Sequence, residues 1–341
     1  KAMLAAGRRA HIMRSSGGFG IAPVEPQIDH ALVNDHVRGV IAAIAPNDSV
    51  ERFTGLGVQV IEAEGRFIDR NTVSAGEQLI KARRFVIATG SSAFVPPIPG
   101  LDAVPYFTNE TLFDNRVRPE HLIVVGGGPI GMEMAQAHRR LGSRVTVLEG
   151  LKALGKDDPE LTAVALKQLS GEGIEIREGA KVERVEGQAG AIRVTVDVDG
   201  TKQTIVGTHL LMAVGRRANV AGLGLEEAGI AYDRAGIKVD AGLVTSNARV
   251  FAIGDVAGGL QFTHVANYHA GIVIRKALFH LPVKASTHHI PWVTYTEPEI
   301  ANVGLTEAQA RAAGHTVHAL RWPYHENDRA QAERSTEGLV K

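Results

Sequence analysis

An α/β fold containing two similarly built parallel-sheet units is predicted by three features of this 341-residue sequence. The first is a strand, glycine turn, helix and strand in succession. The apolar run His121-Leu122-Ile123-Val124-Val125 leads into Gly126-Gly127-Gly128-Pro129-Ile130-Gly131, a helix over Met132–Leu141 closed by Gly142, and the strand Arg144–Glu149. The second is an internal echo. Phe85–Gly90 and Leu210–Gly215 are both short apolar strands that end in Ala-x-Gly after an antiparallel stretch, which suggests two units of one design. The third is Val250–Asp255, a strand ending in Gly-Asp and followed by a helix from about His264 to Phe279.

The other elements follow in order. Residues 1–45 read as two helices separated by Ser15–Gly20, Pro23 and Pro26, the second placing Leu32, His36, Val40 and Ala43 or Ile44 on one face. Strands are expected at Val58–Ala63, Gly65–Ile68, Thr72–Val73 and Arg84–Gly90, and the Pro-rich connector Val95–Gly100 marks a domain boundary. A helix from Pro159 to Leu169 precedes Ile174–Arg177. Three antiparallel strands follow, at Lys181–Glu186, Ile192–Val198 and Lys202–Val206, with Asp199-Gly200 as a type I′ hairpin turn. After Pro282 the pattern is mixed strands with one helix, Glu307–Ala313.

Composition excludes several classes of function. Lys+Arg 37 against Asp+Glu 37 gives no net charge, which argues against nucleic acid as a partner. No apolar run is long enough to span a bilayer as a helix, and Lys1–Arg9 lacks the apolar stretch of a secretory signal, so a cytoplasmic location is expected. Without cysteine, the residues present offer no thiolate nucleophile, disulfide or Cys-ligated metal. The 14 histidines form no metal-ligand pattern: His288 and His289 are adjacent, and His264 and His269 are five apart. The basic doublets Arg83-Arg84, Arg139-Arg140 and Arg216-Arg217 read as solvated faces.

Between a strand and a helix, Gly126-x-Gly128-x-x-Gly131 has the context of a dinucleotide site. The first glycine permits the turn, the second lets backbone approach a pyrophosphate, and the third allows close packing at the dipolar helix N-terminus. Glu149 stands at the end of the second strand, where a carboxylate accepts from ribose hydroxyls and repels a 2′-phosphate. NADH is therefore expected over NADPH, although Lys152 is close enough to blur the argument. Glu133, early in the helix, is either a cleft carboxylate or a simple partner of the helix dipole. Asp255 suits a sugar hydroxyl or a helix cap, and by itself the cap is the better reading.

Five motifs in order carry a resemblance. They are Phe85–Gly90, Gly126–Glu133, Ala213-Val214-Gly215-Arg216-Arg217-x-Asn219, Val250–Val256 and Tyr295-Thr296-Glu297-Pro298-Glu299-Ile300-Ala301-x-Val303-Gly304-Leu305-Thr306. The chain resembles pyridine nucleotide–disulfide oxidoreductases, in the branch containing dihydrolipoamide dehydrogenase and mercuric reductase. The resemblance implies two Rossmann-like nucleotide-binding domains, an FAD domain split by an inserted NAD domain, plus a partial α+β dimerisation domain. The boundaries it implies are 1–112 and 241–283 for FAD, 113–240 for NAD and 284–341 for association, and it implies a homodimer.

The resemblance also implies roles for residues. Lys1 and Glu133 correspond to a catalytic pair near the flavin. Gly65, Thr89, Gly90, Gly254, Asp255 and Thr263 correspond to FAD contacts, and Gly126, Gly127, Gly128, Pro129, Ile130, Gly131, Glu149, Val182 and Gly215 to the NAD set. In the family, hydride passes from NADH to FAD and on to a disulfide, lipoamide or metal-ion acceptor, or oxygen. A first FAD fingerprint with its cysteine pair precedes the position of Lys1 there, and an acid–base histidine follows that of Lys341. The expectation is that a longer parent protein is the enzyme and that this chain alone is inactive in disulfide reduction. The alternative is a non-catalytic NAD-binding fragment or association module.

Overall fold

The computed structural model describes residues 1–341, which fold as two compact units. One comprises Lys1–Ile44, Ala93–Gly215 and Pro291–Lys341, the other Ala45–Ser92 and Arg216–Ile290.

At the centre of the first unit is a four-stranded parallel sheet, ordered His209–Met212, His121–Val125, Arg144–Leu148 and Glu175–Arg177. Every residue of His121–Val125 is buried because both faces of the sheet are covered, which is why this strand reads as an unbroken apolar run. Leu122, Val124, Val145 and Val147 pack with Met132 and Ala135 of the helix Pro129–Arg140. Ile123, Val125, Leu148 and Leu210 pack with Val185, Ile192, Val194 and Val196 of the antiparallel sheet Ala180–Gln188, Ala191–Val198 and Thr201–Gly207. Its turn residues Asp199 and Gly200 have φ of 51° and 80°, the left-handed pair that a type I′ hairpin requires. The glycine-turn helix begins at Pro129 rather than Met132, because proline supplies the φ of a first helical residue and has no N–H to leave unpaired.

The helix Ala2–Ser15 buries Met3, Gly7 and Ala10 against Pro129–Arg140. A Cβ on Gly7 would lie 3.2 Å from the Ala137 carbonyl oxygen, so this glycine sets the closeness of the two helices. The helix His30–Ile44 is rotated from the expected face. His30, Asn34 and Val37 are buried, whereas Leu32 is 64% exposed and Ile44 53%. Asn34 fixes the rotation: its Nδ2 donates to the carbonyls of Phe113 (2.6 Å) and Asn115 (3.1 Å), while Arg116 pairs with the adjacent Asp35. The hairpin Pro291–Thr294 and Ile300–Val303 and the capping-box helix Glu307–Ala312 complete the unit.

The second unit pairs Phe85–Ile87 in parallel with Val250–Ala252 and carries the antiparallel strands Gly65–Asp69, Thr72–Ala75 and Gln78–Lys81. Phe67, Ile87, Leu225, Ile237, Val250, Ala252 and Val256 form its core, and the helix Thr263–Phe279 packs a smaller cluster around Phe251 and Ile272. The strand expected at Val58–Ala63 is absent. A helix Val50–Gly55 precedes this segment, the Val58 N–H closes back on the Phe53 carbonyl (3.0 Å), and no strand pairs with the segment. The strand expected over Arg84–Gly90 is shortened to Phe85–Ile87, since Thr89 and Gly90 turn their hydrogen bonds to Asn219.

Candidate functional site

At the carboxyl end of His121–Val125 the glycine turn divides into two roles. Gly126 has φ 110° and a Cβ there would lie 2.3 Å from the Ala213 carbonyl oxygen. A Cβ on Gly131 would lie 2.0 Å from the carbonyl oxygen of Gly126. Both are glycines for the protein's own packing. Around Gly128 nothing approaches a Cβ position within 4 Å, and this residue begins the helix Pro129–Arg140 without a side-chain cap. The first-turn N–H groups therefore have no side-chain acceptor, and the surface above them is backbone only, as a pyrophosphate requires.

Glu149 is held beside this turn. Its Oε2 accepts from the Gly127 N–H at 2.7 Å and its Oε1 from the Leu151 N–H at 2.8 Å. Each carboxylate oxygen keeps a lone pair for a further donor. Lys152, which blurred the charge argument, is engaged elsewhere: its Nζ lies 2.6 Å from Glu178 Oε2. Gly215 has φ 121° with open space at its Cβ position, and Val182 pairs with Val196 beside the bulge between Thr195 and Val196.

On the same helix, Glu133 Oε1 accepts from the Tyr295 N–H at 2.9 Å, and the Lys1 ammonium stands 4.2 Å above the centre of the Tyr295 ring. Lys1 and Glu133 thus meet at Tyr295. Burial pushes the Glu133 carboxyl above the ordinary carboxylate range, against the Tyr295 N–H and the charge of Lys1, which pull it down.

Sequence reasoning missed the network behind this contact. Arg140 donates to Glu172 through Nε (2.8 Å) and Nη2 (2.7 Å) and pairs with Glu297 through Nη1. Gln136 donates to Glu172 and to the Glu297 carbonyl, and accepts from the Glu297 N–H at 2.8 Å. Glu133, Gln136 and Arg140 share one helix face, and together they fix the segment Tyr295–Pro298. Their spacing of three and four residues on an otherwise apolar helix was the available signal. Arg140, read as part of a solvated doublet, is 5% exposed.

In the second unit the parallel strands end at Thr89-Gly90 and Gly254-Asp255. Thr89 Oγ1 donates to the Asn219 carbonyl, Asn219 Nδ2 donates to the Thr89 carbonyl (2.9 Å each), and the Asn219 N–H donates to Gly90 at 3.0 Å. This clamp leaves Gly90, with φ 67°, facing open space. Asp255 is not a cap for the following helix, which starts at Thr263. Instead its Oδ2 accepts from Ser91 Oγ at 2.5 Å, and Arg216 Nε donates to the same hydroxyl at 2.7 Å. Arg216 also pairs with Asp255 at 3.9 Å, so its place in a solvated doublet is likewise corrected. Gly254, with φ 66°, donates its N–H to His269 Nδ1 at 3.2 Å. Gly65 opens the strand opposite Ala75, and Thr263 is the first residue of its helix. Asn219 stood in the Ala213–Asn219 motif, whereas Ser91 and His269 carry no sequence signal of their own.

A glycine-lined, uncapped helix start with a strand-end carboxylate beside it, and a second parallel pair ending in glycine and aspartate, define an α/β protein of the dinucleotide-binding class. Sequence comparison narrows the class: residues 1–270 match the family described as pyridine nucleotide-disulphide oxidoreductase and residues 290–341 match its dimerisation domain, so the chain belongs to that family. It is 36% identical over its whole length to a mercuric reductase of Bacillus cereus and 34% identical to a dihydrolipoyl dehydrogenase of Thermus scotoductus, covering 54% and 74% of those proteins. Among solved structures, LpdA from Mycobacterium tuberculosis superposes with a TM-score of 0.88 at 27% identity, over 99% of this chain and 75% of that one. The HOCl-induced flavoprotein disulfide reductase RclA from Escherichia coli superposes with a TM-score of 0.83 at 27% identity, over 99% and 74%. The chain spans little more than half the length of the first of these relatives. No helix is long and apolar enough to cross a membrane.

Proposed function

We propose that this chain is the cofactor-handling part of an FAD-dependent oxidoreductase that takes hydride from NADH and serves a disulfide, lipoamide or metal-ion acceptor. The observation that carries the reading is the open Gly128 backbone at an uncapped helix start with Glu149 fixed beside it. Gly126 through Gly131 bind the dinucleotide pyrophosphate by backbone N–H groups and the helix dipole, and the free lone pairs of Glu149 take the adenosine ribose hydroxyls. With Lys152 engaged by Glu178, Glu149 faces a 2′-phosphate without that neighbouring cation to offset it, which supports NADH over NADPH.

When bound, the flavin supplies the two-electron relay between nicotinamide and acceptor. For FAD the proposed contacts are the turned backbone at Thr89-Gly90, Gly254, Gly65, Thr263 and the carboxylate of Asp255, whose Oδ2 is oriented by Ser91 and Arg216. Glu133, half-buried and neutral over a wider pH range than an exposed carboxylate, holds or releases a proton at its carboxylate, with Lys1 as its cationic neighbour through Tyr295. In this reading residues 1–112 and 241–283 serve FAD, 113–240 NAD, and 284–341 homodimerisation in a cytoplasmic enzyme. Titration with NADH and NADPH, followed by nicotinamide fluorescence, tests the reading. Saturable NADH binding supports it, and absence of binding to either nucleotide contradicts it.

A further inference from the structure

At one edge of the second unit, three cations surround a cleft and none of them forms an ion pair. The cleft lies among Asp69, Arg70, Asn71, Thr72, Lys81, Ala82 and Arg249, is open to solvent and has a volume of about 470 Å³. Asp69 is its one carboxylate, held ionised by the Asn71 N–H at 2.7 Å and by the nearby Lys81 charge, so it offsets one of the three cations and leaves the other two unopposed. Thr72 is 2% exposed and lies beside the Asp69 carboxylate. The basic character continues along the chain, since Arg83 and Arg84 follow directly and Arg84 Nη1 donates only to the Arg83 carbonyl.

Position separates this cleft from the proposed cofactor contacts. Arg249 immediately precedes Val250–Ala252, Lys81 leads into Phe85–Ile87, and the Phe85 N–H donates to the Arg249 carbonyl at 2.9 Å. The cleft therefore stands at the amino ends of the parallel strands, whereas Gly90 and Asp255 stand beyond their carboxyl ends, where cofactors of open α/β sheets bind.

From this arrangement we infer a second ligand site, in which Arg70, Lys81 and Arg249 bind the phosphate group of a small phosphorylated molecule. Two arginines and a lysine lining one concavity, against a single carboxylate, leave it net cationic and suit the several oxygens of a phosphate better than a lone carboxylate. The volume is in the range of a small-molecule site, and a chain with no net charge lacks the extended field that a nucleic-acid backbone engages.

Calorimetric titration of the full chain with inorganic pyrophosphate tests the inference, with backbone amide shifts locating the site. Saturable binding is expected, with shifts at Asn71, Thr72 and Ala82. Lys81→Ala and Arg249→Ala are each expected to weaken the binding that produces those shifts by about tenfold while leaving the thermal melt unchanged. Arg193→Ala, which removes an exposed charge from the other unit, should leave it unaltered. Absence of shifts at the three amides, unchanged affinity in both cleft variants, or an equal loss in Arg193→Ala would each overturn the site. Tighter binding of a short DNA duplex than of pyrophosphate would overturn the ligand class.

Discussion

The Tyr295 N–H donates to Glu133 Oε1 at 2.9 Å while the ring of the same tyrosine lies 4.2 Å beneath the Lys1 ammonium. One residue from the C-terminal hairpin region thus contacts both Glu133 and its proposed cationic neighbour Lys1. Burial raises the Glu133 pKa, so the folded state holds this proton more tightly than the unfolded chain does. The stability contributed is complete below the ordinary carboxylate pKa and is lost as pH rises through the folded one. Glu133→Gln should therefore leave stability at neutral pH equal or higher and flatten its slope just above the carboxylate range. Urea midpoints measured across pH check this, and an unchanged slope would contradict it.

Two buried histidines give the opposite sign. His30 and His138 face each other with ring centroids 6.1 Å apart. Both nitrogens of His30 and Nε2 of His138 lack partners, while His138 Nδ1 pairs with the Met134 carbonyl. Burial lowers both pKa values, that of His138 to about 4, helped by His209 for each ring and by Arg118 for His30, with Asp29 opposing at His30. Neutral His138 stabilises the fold above the unfolded value near 6.5, and that stability drains as pH falls toward 4, by on the order of 3 kcal/mol. Thermal midpoints should drop steeply across that window. His138→Phe should remove part of the drop, and a variant with an unaltered acid transition would refute the assignment.

Arg140 and Glu172, 5% and 8% exposed, form the buried ion pair behind the site. Glu172→Ala leaves the guanidinium without its main partner and should cost about 3–5 kcal/mol in equilibrium unfolding. Glu183→Ala, which breaks the exposed pair with Lys202, should cost no more than about 1 kcal/mol. Equal losses in the two variants would contradict the burial argument.

The two glycine roles separate by substitution. Gly131→Ala forces a Cβ to 2.0 Å from a carbonyl oxygen and should lower stability by several kcal/mol. Gly128→Ala meets no protein atom within 4 Å, so the melt should be retained while NADH binding falls by about tenfold or more. Loss of folding in Gly128→Ala, or full NADH affinity, would contradict the open cradle.

What the sequence made legible were features with local causes. The glycine turn, the buried strand beside it and the Asp199-Gly200 hairpin each follow from backbone conformations that few residues adopt. The face of His30–Ile44 was misread because Asn34 is anchored by carbonyls at 113 and 115, far along the chain, and apolar spacing carries no trace of them. The same holds for Arg140 with Glu172 and Glu297, and for Asp255 with Ser91 and Arg216. Each pair joins residues remote in sequence, so a basic doublet and a strand-end aspartate looked like surface and cap. Val58–Ala63 had the composition of a strand and lacks the neighbour that would make it one.

The most direct test of the central claim is a nucleotide titration of the wild type beside Glu149→Ala, run with both NADH and NADPH. NADH should bind more tightly than NADPH, and the substitution should weaken NADH by about tenfold while narrowing the difference between the two. Tighter binding of NADPH by the wild type, or NADH affinity untouched by the loss of Glu149, would contradict the account.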